Sequence, residues 1–212
     1  MQPSRRFTDR KDAGEQLADA LTERAIDADI VLAIPRGGLP LGRAVADALE
    51  APLDVVIAKK VGAPGNPEYA IGAVASDGSV WHNEDACGAT GADEDYVEEQ
   101  RAVAAATARE KAKRYREGRA EPDLTGKTVV VVDDGVATGS TVRACLEKLQ
   151  REATERIVLA VPVGPPETID ELASTGVDVV CLETPRPFQG VGQFYEDFRQ
   201  VSDEEALSYL DS

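Results

Sequence analysis

Two adjacent carboxylates and a run of small hydroxyl residues follow the most hydrophobic segment of the chain. Four valines at 129–132 predict a buried parallel strand, and Asp133 and Asp134 stand at its end. A turn and the start of a helical pattern follow, with the residues Ala137, Thr138, Gly139, Ser140 and Thr141. Ligands of open α/β sheets bind outside the carboxyl ends of such strands. The free N–H groups of the turn and of the new helix therefore predict an anion site.

The two carboxylates suit a sugar better than they suit the anion itself. Asp133 and Asp134 are expected to accept hydrogen bonds from ribose hydroxyls, directly or through a divalent cation. An ordinary turn between a strand and a helix would explain the glycine and the hydroxyl groups, but it would not explain two adjacent acids. The segment therefore indicates a site for a phosphorylated sugar.

A second loop, with the sequence PRGG, offers a cation beside two glycines. It follows a short apolar run at 30–34 and precedes a helical pattern. Arg36 presents a fork of donors that matches phosphate oxygens. Gly37 and Gly38 allow the backbone to approach another group closely. Taken alone, the loop is equally consistent with a plain turn.

The spacing acid–acid–x–x–Ala–Thr–Gly–x–Thr after a hydrophobic strand resembles the phosphoribosyl pyrophosphate (PRPP) motif of the type I phosphoribosyltransferases. The resemblance implies transfer of a 5-phosphoribosyl group from PRPP to a nitrogenous base, with release of pyrophosphate and with Mg²⁺ as cofactor. It places the 5′-phosphate on residues 137–141 and the ribose near Asp133 and Asp134, which would meet Mg²⁺ only through PRPP or water. It assigns pyrophosphate to residues 35–38, a loop that in this family often contains a strained, sometimes cis, peptide bond.

Two adjacent lysines, Lys59 and Lys60, are predicted at the end of the second strand, before a loop rich in glycine and proline. They resemble the basic pair, usually Arg-Lys, that precedes the flexible catalytic loop of adenine and orotate phosphoribosyltransferases. Lysine in place of arginine puts bidentate binding at position 59 in doubt. Glu68 in the same loop is a candidate general acid or base. The alternatives are two lysines on a rim and a solvated loop carboxylate.

The nucleobase needs an apolar surface on which to stack. Four of the ten aromatic residues lie within the segment 188–198, and we expect Phe188 or Tyr195 to line the acceptor pocket. The alternative is that these rings pack an irregular tail onto the edge of the sheet. Ala137 stands where hypoxanthine–guanine enzymes carry an acid, so the motif is more similar to that of the adenine enzymes and slightly favours a purine.

The similarity extends over nearly the whole chain and covers predicted phosphoribosyltransferases of bacteria and archaea. Its landmarks are F-x-D-R-x-x-A-G at 7–14, PRGG, the segment 60–75, the PRPP motif, and G-x-F-Y-E-D-F at 192–198. It implies the fold and PRPP chemistry but leaves the acceptor unnamed. Two other functions stay open: a PRPP or nucleotide sensor that transfers nothing, and a hydrolase or phosphorylase that acts on ribose phosphates.

Alternating strands and helices predict an α/β fold with a mainly parallel, doubly wound sheet. Strands are expected at 30–34, 53–58, 128–132, 157–163 and 177–182. We expect a single domain over residues 1–212. Residues 61–120 would form an inserted lid or hood with a flexible loop, a hairpin and a long helix, and residues 183–212 a C-terminal hood or tail.

Composition excludes several other classes of protein. The 212 residues carry 39 acidic against 23 basic side chains, and the formal net charge of −16 argues against nucleic acid and anionic membranes as partners. The excess of acid suits a protein of high-salt cytoplasm and predicts a halophilic source. The alternative is an ordinary acidic cytosolic protein. Three scattered cysteines and one histidine indicate reduced thiols and argue against zinc sites and histidine triads. The family resemblance implies a homodimer.

Overall fold

The computed structural model describes residues 7–211, with the backbone alone for Glu68, Glu84 and Asp85. The elements in chain order are α1 (Arg10–Glu23), β1 (Ile30–Ala33), α2 (Gly38–Ala48), β2 (Leu53–Val55), β3 (Ala58–Ala63), β4 (Asn66–Ala75), β5 (Val80–His82), α3 (Glu84–Thr90), α4 (Glu94–Arg116), β6 (Thr128–Val132), α5 (Ser140–Arg151), β7 (Arg156–Val163), α6 (Pro166–Ala173), β8 (Asp178–Glu183), a 3₁₀ helix (Val191–Phe194) and α7 (Asp203–Ser208).

Internal contacts divide the chain into two compact units. The first unit comprises Met1–Val55, Leu124–Thr138 and Thr154–Ser212, and the second comprises Val56–Asp123 and Gly139–Ala153. The second unit contains the insert predicted at 61–120, and it also contains α5. Among residues 7–211, no helix has the length and hydropathy needed to span a bilayer.

The first unit contains a five-stranded parallel sheet in the order β2-β1-β6-β7-β8. Its central strand, β6, begins and ends as predicted, and its valines at 129–132 are fully buried. Apolar residues on both faces are what a covered parallel strand requires. Helix α1 begins after Asp9, because the Asp9 side chain accepts a hydrogen bond from the Asp12 N–H at 2.9 Å. The α/β fold with a parallel sheet is thus confirmed.

The second unit contains an antiparallel sheet in the order β3-β4-β5, with α3, α4 and α5 packed against it. The hairpin around Asp77 and Gly78 is present as predicted. The single strand predicted at 53–58 is wrong: the chain leaves the parallel sheet after Val55, and a new strand begins at Ala58. The continuous apolar run conceals this change of sheet, because both pieces bury hydrophobic residues.

The prediction of a flexible Gly/Pro loop after Lys60 is also wrong, since this segment forms the end of β3, the turn and the start of β4. Its turn is confined to Pro64 and Gly65, and Gly65 adopts the positive φ of 72° that such a turn favours. The C-terminal tail is more ordered than expected. Phe7 N–H donates to the Phe194 carbonyl at 2.7 Å, and Glu196 N–H donates to the Phe7 carbonyl at 2.8 Å.

Candidate active site

The PRGG loop and the acidic pair at the end of β6 lie side by side in the first unit. Strands β1 and β6 pair in parallel, so the ends of both strands reach the same edge of the sheet. Ile34 N–H continues the ladder and donates to the Val132 carbonyl at 2.9 Å. The approach is so close that a Cβ added at Gly38 would lie 2.5 Å from the same carbonyl oxygen. The parallel pairing thus brings PRGG next to the acidic pair.

Asp134 has a protein cation as its direct partner. Arg10 Nε lies 2.7 Å from Asp134 Oδ2, and the two side chains are only 11% and 15% exposed. The guanidinium is held on two further sides: Nη1 donates to the Arg199 carbonyl at 2.7 Å, and the Phe198 ring centroid lies 3.9 Å away. Arg10 is therefore fixed by the C-terminal tail while it holds the carboxylate.

Burial dominates the electrostatics of Asp134. Desolvation raises the pKa of Asp134, while the charge and the hydrogen bond of Arg10 oppose that rise. The Tyr195 hydroxyl donates to the Asp134 backbone carbonyl at 2.7 Å. Burial, followed by the charge of Asp134, raises the pKa of Tyr195, so this phenol stays protonated and remains a donor.

The glycines of PRGG are required for packing inside the protein. A Cβ at Gly37 would collide with the carboxylate of Asp134, and one at Gly38 would meet the end of β6. The Pro35–Arg36 peptide bond is cis. We predicted the close approach of this loop to a ligand, but the contact that demands glycine here is with Asp134.

Arg36 pairs with a carboxylate that the sequence did not indicate. Its Nη1 lies 3.4 Å from Oδ1 of Asp203, the first residue of α7, and both side chains are about one-third exposed. The pair spans 167 positions of sequence. An ion pair with this long distance and partial exposure contributes little stability in water. The guanidinium of Arg36 can therefore exchange Asp203 for an incoming anion.

The first half of the anion turn is positioned by the sheet. Asp133 is half-buried, and its Oδ1 accepts the Asp134 N–H at 2.9 Å. The Val136 N–H donates to the Val163 carbonyl at 2.9 Å, and the Thr168 hydroxyl donates to the Ala137 carbonyl at 3.0 Å. Ala137 and Thr138 are exposed. The side chain of Thr138 is thus accessible to a ligand, as the prediction requires.

The second half of the turn opens α5 in the second unit. Gly139 has a φ of 75°, a left-handed conformation that favours glycine, and it stands at the N-cap position. Glycine has no side chain with which to cap the helix that it precedes. Ser140 is buried and Thr141 half-buried. A helix start with glycine at the N-cap position is compatible with an anion at its first-turn amides.

The predicted basic pair is not a pair in space. Lys59 and Lys60 are consecutive residues of β3 and lie opposite Val74 and Ala73 of β4. Neighbouring side chains of a strand point to opposite faces of the sheet, so the two ammonium groups cannot close over one ligand in this arrangement. The expectation that both lysines end a strand and precede a loop is wrong.

The side chain of Glu68 lies outside the part of the molecule that the structure describes.

Tyr195 does not offer a ring face to a nucleobase. Its side chain is 4% exposed, and its ring contacts Phe7 and Phe198 at centroid distances of 5.4 and 4.9 Å. Of the two rings predicted for the acceptor pocket, Tyr195 therefore follows the alternative, because its ring packs the tail against Phe7. Phe188 is half-buried and stacks on Phe194 at 5.5 Å. Phe188 stays a candidate for the acceptor pocket.

No preformed metal centre is present in the described part of the chain. Among residues 7–211, no group of three or more His, Cys, Asp or Glu side chains is placed to hold a metal ion. The carboxylate of Asp134 is engaged by Arg10.

Together, the fold and these loops define an α/β protein whose candidate site lies at the carboxyl edge of a parallel sheet. The sequence matches the model of the phosphoribosyl transferase domain over residues 8–198. The chain therefore belongs to the phosphoribosyl transferase family.

Relatives support this membership. Two proteins of Mycobacterium tuberculosis, named "Putative phosphoribosyl transferase MT0597" and "Putative phosphoribosyl transferase Rv0571c", are each 42% identical over 208 residues, which are 97% of this chain and 46% of the relative. The chain thus spans about half the length of these curated relatives.

Solved structures agree with the fold. The crystal structure of TT1426 from Thermus thermophilus has 42% sequence identity and a TM-score of 0.81, and 97% of each chain is covered. A hypothetical protein from Neisseria gonorrhoeae with bound ppGpp shares the fold at 15% identity and a TM-score of 0.50, with coverage of 100% of this chain and 98% of the other.

Proposed function

We propose that this protein is a Mg²⁺-dependent phosphoribosyltransferase that transfers the 5-phosphoribosyl group of PRPP to a nitrogenous base and releases pyrophosphate. The observation that carries the proposal is the pairing of β1 with β6, which sets the PRGG loop beside the acidic motif. One loop supplies a guanidinium and the other supplies carboxylates, and the two types of group suit the pyrophosphate and the ribose respectively. Family membership supports the same chemistry.

The reaction is a displacement at the anomeric carbon of ribose. The base nitrogen forms a bond to this carbon as the bond to pyrophosphate breaks, and the transition state resembles an oxocarbenium ion. The half-buried Asp133 would accept hydrogen bonds from the ribose hydroxyls, and Arg36 would neutralise charge on the departing pyrophosphate. The amides at the start of α5, with the hydroxyls of Thr138 and Thr141, would hold the 5′-phosphate. The protein acts mainly by positioning the reactants.

Asp134 has a supporting role in this scheme. Because Arg10 and Gly37 enclose its carboxylate, Asp134 is better placed to fix the geometry of both loops than to meet the ribose alone. The ribose assignment of Asp134 stays a prediction. A PRPP titration of Asp134→Asn tests this assignment, and an unchanged affinity for PRPP would contradict it.

The residues present fit Mg²⁺ as a substrate-borne ion. Mg²⁺ keeps several waters and is bound through one or two carboxylates plus substrate phosphates. Asp133, through water, is the carboxylate that would meet it, and the ion would supply charge neutralisation on the pyrophosphate oxygens. A cage of protein ligands is not needed for this role.

A purine acceptor is our preferred substrate class. Ala137 is exposed and leaves room beside the motif where an acidic residue would otherwise stand. Phe188 offers the half-buried ring on which a base could stack. Glu68 stays a candidate general acid or base.

A PRPP or nucleotide sensor is the second candidate. It is favoured by the placement of Lys59 and Lys60 within β3, because the paired cations that supported an enzyme are directed to opposite faces. A sensor needs the anion turn and Asp133 but no closing loop. A hydrolase or phosphorylase acting on ribose phosphates would use the same turn without PRPP.

Pyrophosphate release decides among these functions. Purified protein is incubated with PRPP and Mg²⁺, with and without pooled purine and pyrimidine bases, over a range of KCl up to molar concentrations. Base-dependent release establishes a transferase, and division of the pool identifies the acceptor. No release together with a PRPP-dependent rise in Tm indicates a sensor or an acceptor outside the panel. Ribose phosphate released without PRPP identifies a hydrolase or phosphorylase. If neither release nor a rise in Tm is observed, PRPP binding is refuted.

Homodimerisation and a cytoplasmic, high-salt setting belong to the same proposal. Light scattering after size exclusion measures the mass in solution, and a Tm that rises with KCl would support adaptation to salt.

A further inference from the structure

A small cavity in the second unit is lined by four cations. It has a volume of about 260 Å³ and lies between the turn at residues 76–77 and the end of α4. Its basic residues are Arg109, Lys113, Arg116 and Arg119, and its acidic residues are Asp77 and Glu121. The formal charge of the lining is therefore +2, from four cations less two carboxylates. In a protein of net charge −16, this local excess is the reverse of the global balance.

The two carboxylates of the cavity are already occupied. Asp77 accepts from the N–H and from the hydroxyl of Ser79, at 2.9 and 2.6 Å. Glu121 Oε1 lies 3.1 Å from Arg116 Nη2 and 3.0 Å from Lys148 Nζ. Both acids thus have partners of their own, and neither is a spare counter-ion for the remaining cations of the lining.

The other three cations keep unused hydrogen-bonding capacity. In the described part of the chain, neither Arg109 nor Lys113 forms an ion pair, and both are exposed. Arg119 lies beyond the end of α4 and is held by that end, since Nε donates to the Arg116 carbonyl at 3.2 Å and Nη2 donates to the Tyr115 carbonyl at 3.5 Å. These bonds leave other guanidinium N–H groups available to donate. Basic residues near a helix C-terminus are favoured by the helix dipole, which explains their presence on α4 but not the concave lining.

We propose that this cavity binds a small phosphate-bearing anion. Arg109, Lys113 and Arg119 would supply the charge-assisted hydrogen bonds, and the turn at residues 76–77 would form the wall. The volume suits an anion of the size of pyrophosphate or a small sugar phosphate rather than a polymer. The site lies outside the PRPP motif in sequence and does not depend on the proposed transfer reaction.

The cavity is connected to α5 through Glu121. Lys148 of α5 has a side chain that is 3% exposed, and it contacts both Glu121 and Glu152. Burial alone would lower the pKa of Lys148, but the hydrogen bonds to these two acids outweigh burial and raise it, so the residue stays charged. Because Arg116 and Lys148 share Glu121, an anion that binds in the cavity alters the environment of α5, the helix that begins with the phosphate turn.

Binding of inorganic pyrophosphate by titration calorimetry tests the site. Mg²⁺ is omitted, and titrations of the full chain are run with and without saturating PRPP. The test variant is Arg109→Gln/Lys113→Gln. Its matched control is Lys111→Gln/Arg114→Gln, which removes the same charge from the same helix outside the cavity lining. We expect at least a tenfold loss of affinity for one binding event in the test variant and less than a twofold change in the control. The affinity of that event in the wild type should also fall as KCl is raised.

The single variants Lys113→Gln and Arg119→Gln repeat the comparison with smaller changes, and equal Tm values confirm that all variants are folded. Equal loss in the test and control variants would show a diffuse electrostatic effect and would overturn the site. If no pyrophosphate binding is detected when PRPP is saturating, the proposed site is also overturned. If PRPP itself does not bind, the proposed function fails, while the difference between the two double variants still decides the cavity.

Discussion

Arg10 and Asp134 form an ion pair of 2.7 Å that joins the start of the chain to the centre of the candidate site. The two residues are separated by 124 positions. The side chains of both are mostly buried, and each is held by further groups: Arg10 by the Arg199 carbonyl and the Phe198 ring, and Asp134 by the close packing of Gly37. The pair thus brings the F-x-D-R segment, the ring of Phe198 and the acidic motif into contact.

Loss of Arg10 should destabilise the protein strongly. The change Arg10→Gln leaves a mostly buried carboxylate without its cation, which we expect to lower the free energy of unfolding by about 2–3 kcal/mol, at the lower end of values for broken buried pairs because some exposure remains. Urea denaturation measures this. Arg156→Gln is the matched control, since Arg156 pairs with Asp178 at the same 2.7 Å but with side chains 44% and 56% exposed. The control should change stability by less than about 1 kcal/mol. Equal effects in the two variants would contradict the role given to burial.

The cost of losing Arg10 should depend on pH. Burial raises the folded-state pKa of Asp134 above the ordinary value of 3.8, so the folded protein favours the neutral carboxyl. The stability that this preference contributes is fully present below the unfolded pKa and is lost as pH rises through the folded pKa. Without Arg10 the folded pKa should rise further. The gap in stability between wild type and Arg10→Gln should therefore be widest near neutral pH and should narrow as pH falls toward the range of ordinary carboxylates. Denaturation curves between about pH 4 and pH 8, a range chosen around the ordinary value, would refute this if the gap stayed constant.

A methyl group at Gly37 should disturb the acidic pair from the opposite side. In Gly37→Ala, the new Cβ collides with the Asp134 carboxylate and should push it away from Arg10. We expect a loss of about 1–3 kcal/mol of stability, typical of overpacking, and at least a tenfold weaker binding of PRPP. Calorimetry measures the affinity. Gly190→Ala is the control, because no atom lies within 4 Å of its added Cβ and its φ of 164° is extended backbone. Normal PRPP affinity in Gly37→Ala would show that the contact between the two loops is not needed for binding.

Tyr195 and Phe188 should affect different substrates. Tyr195→Phe removes the hydroxyl that donates to the Asp134 carbonyl, so we expect about 1 kcal/mol of lost stability and a several-fold higher KM for PRPP, with the KM for the base unchanged. If the half-buried ring of Phe188 stacks on the base, Phe188→Ala should raise the KM for the base and leave the KM for PRPP unchanged. Steady-state kinetics with both substrates varied separates the two. A raised base KM in Tyr195→Phe alone would return Tyr195 to the acceptor pocket.

The local elements follow directly from the order of residues. Strand β6 is a run of valines, a composition typical of a buried strand. Helices α1 and α7 follow Asp9 and Ser202, whose side chains cap them. The phosphate turn is also local, because Gly139 supplies a positive φ where the helix starts. Spacing along the chain is enough to identify such features, since every interaction involved spans only a few residues.

Tertiary structure alone decided which of the candidate residues are accessible and what they contact. The pairing of Arg10 with Asp134 and of Arg36 with Asp203 joins distant segments, and no periodicity reports such contacts. The chain also changes sheet after Val55, which places Lys59 and Lys60 inside β3 and not at the end of a strand. Tyr195 became part of the support of the site because its ring could be buried against Phe7. Local sequence determines the conformation of a segment, whereas burial and long-range charge pairing depend on which segments the fold brings together.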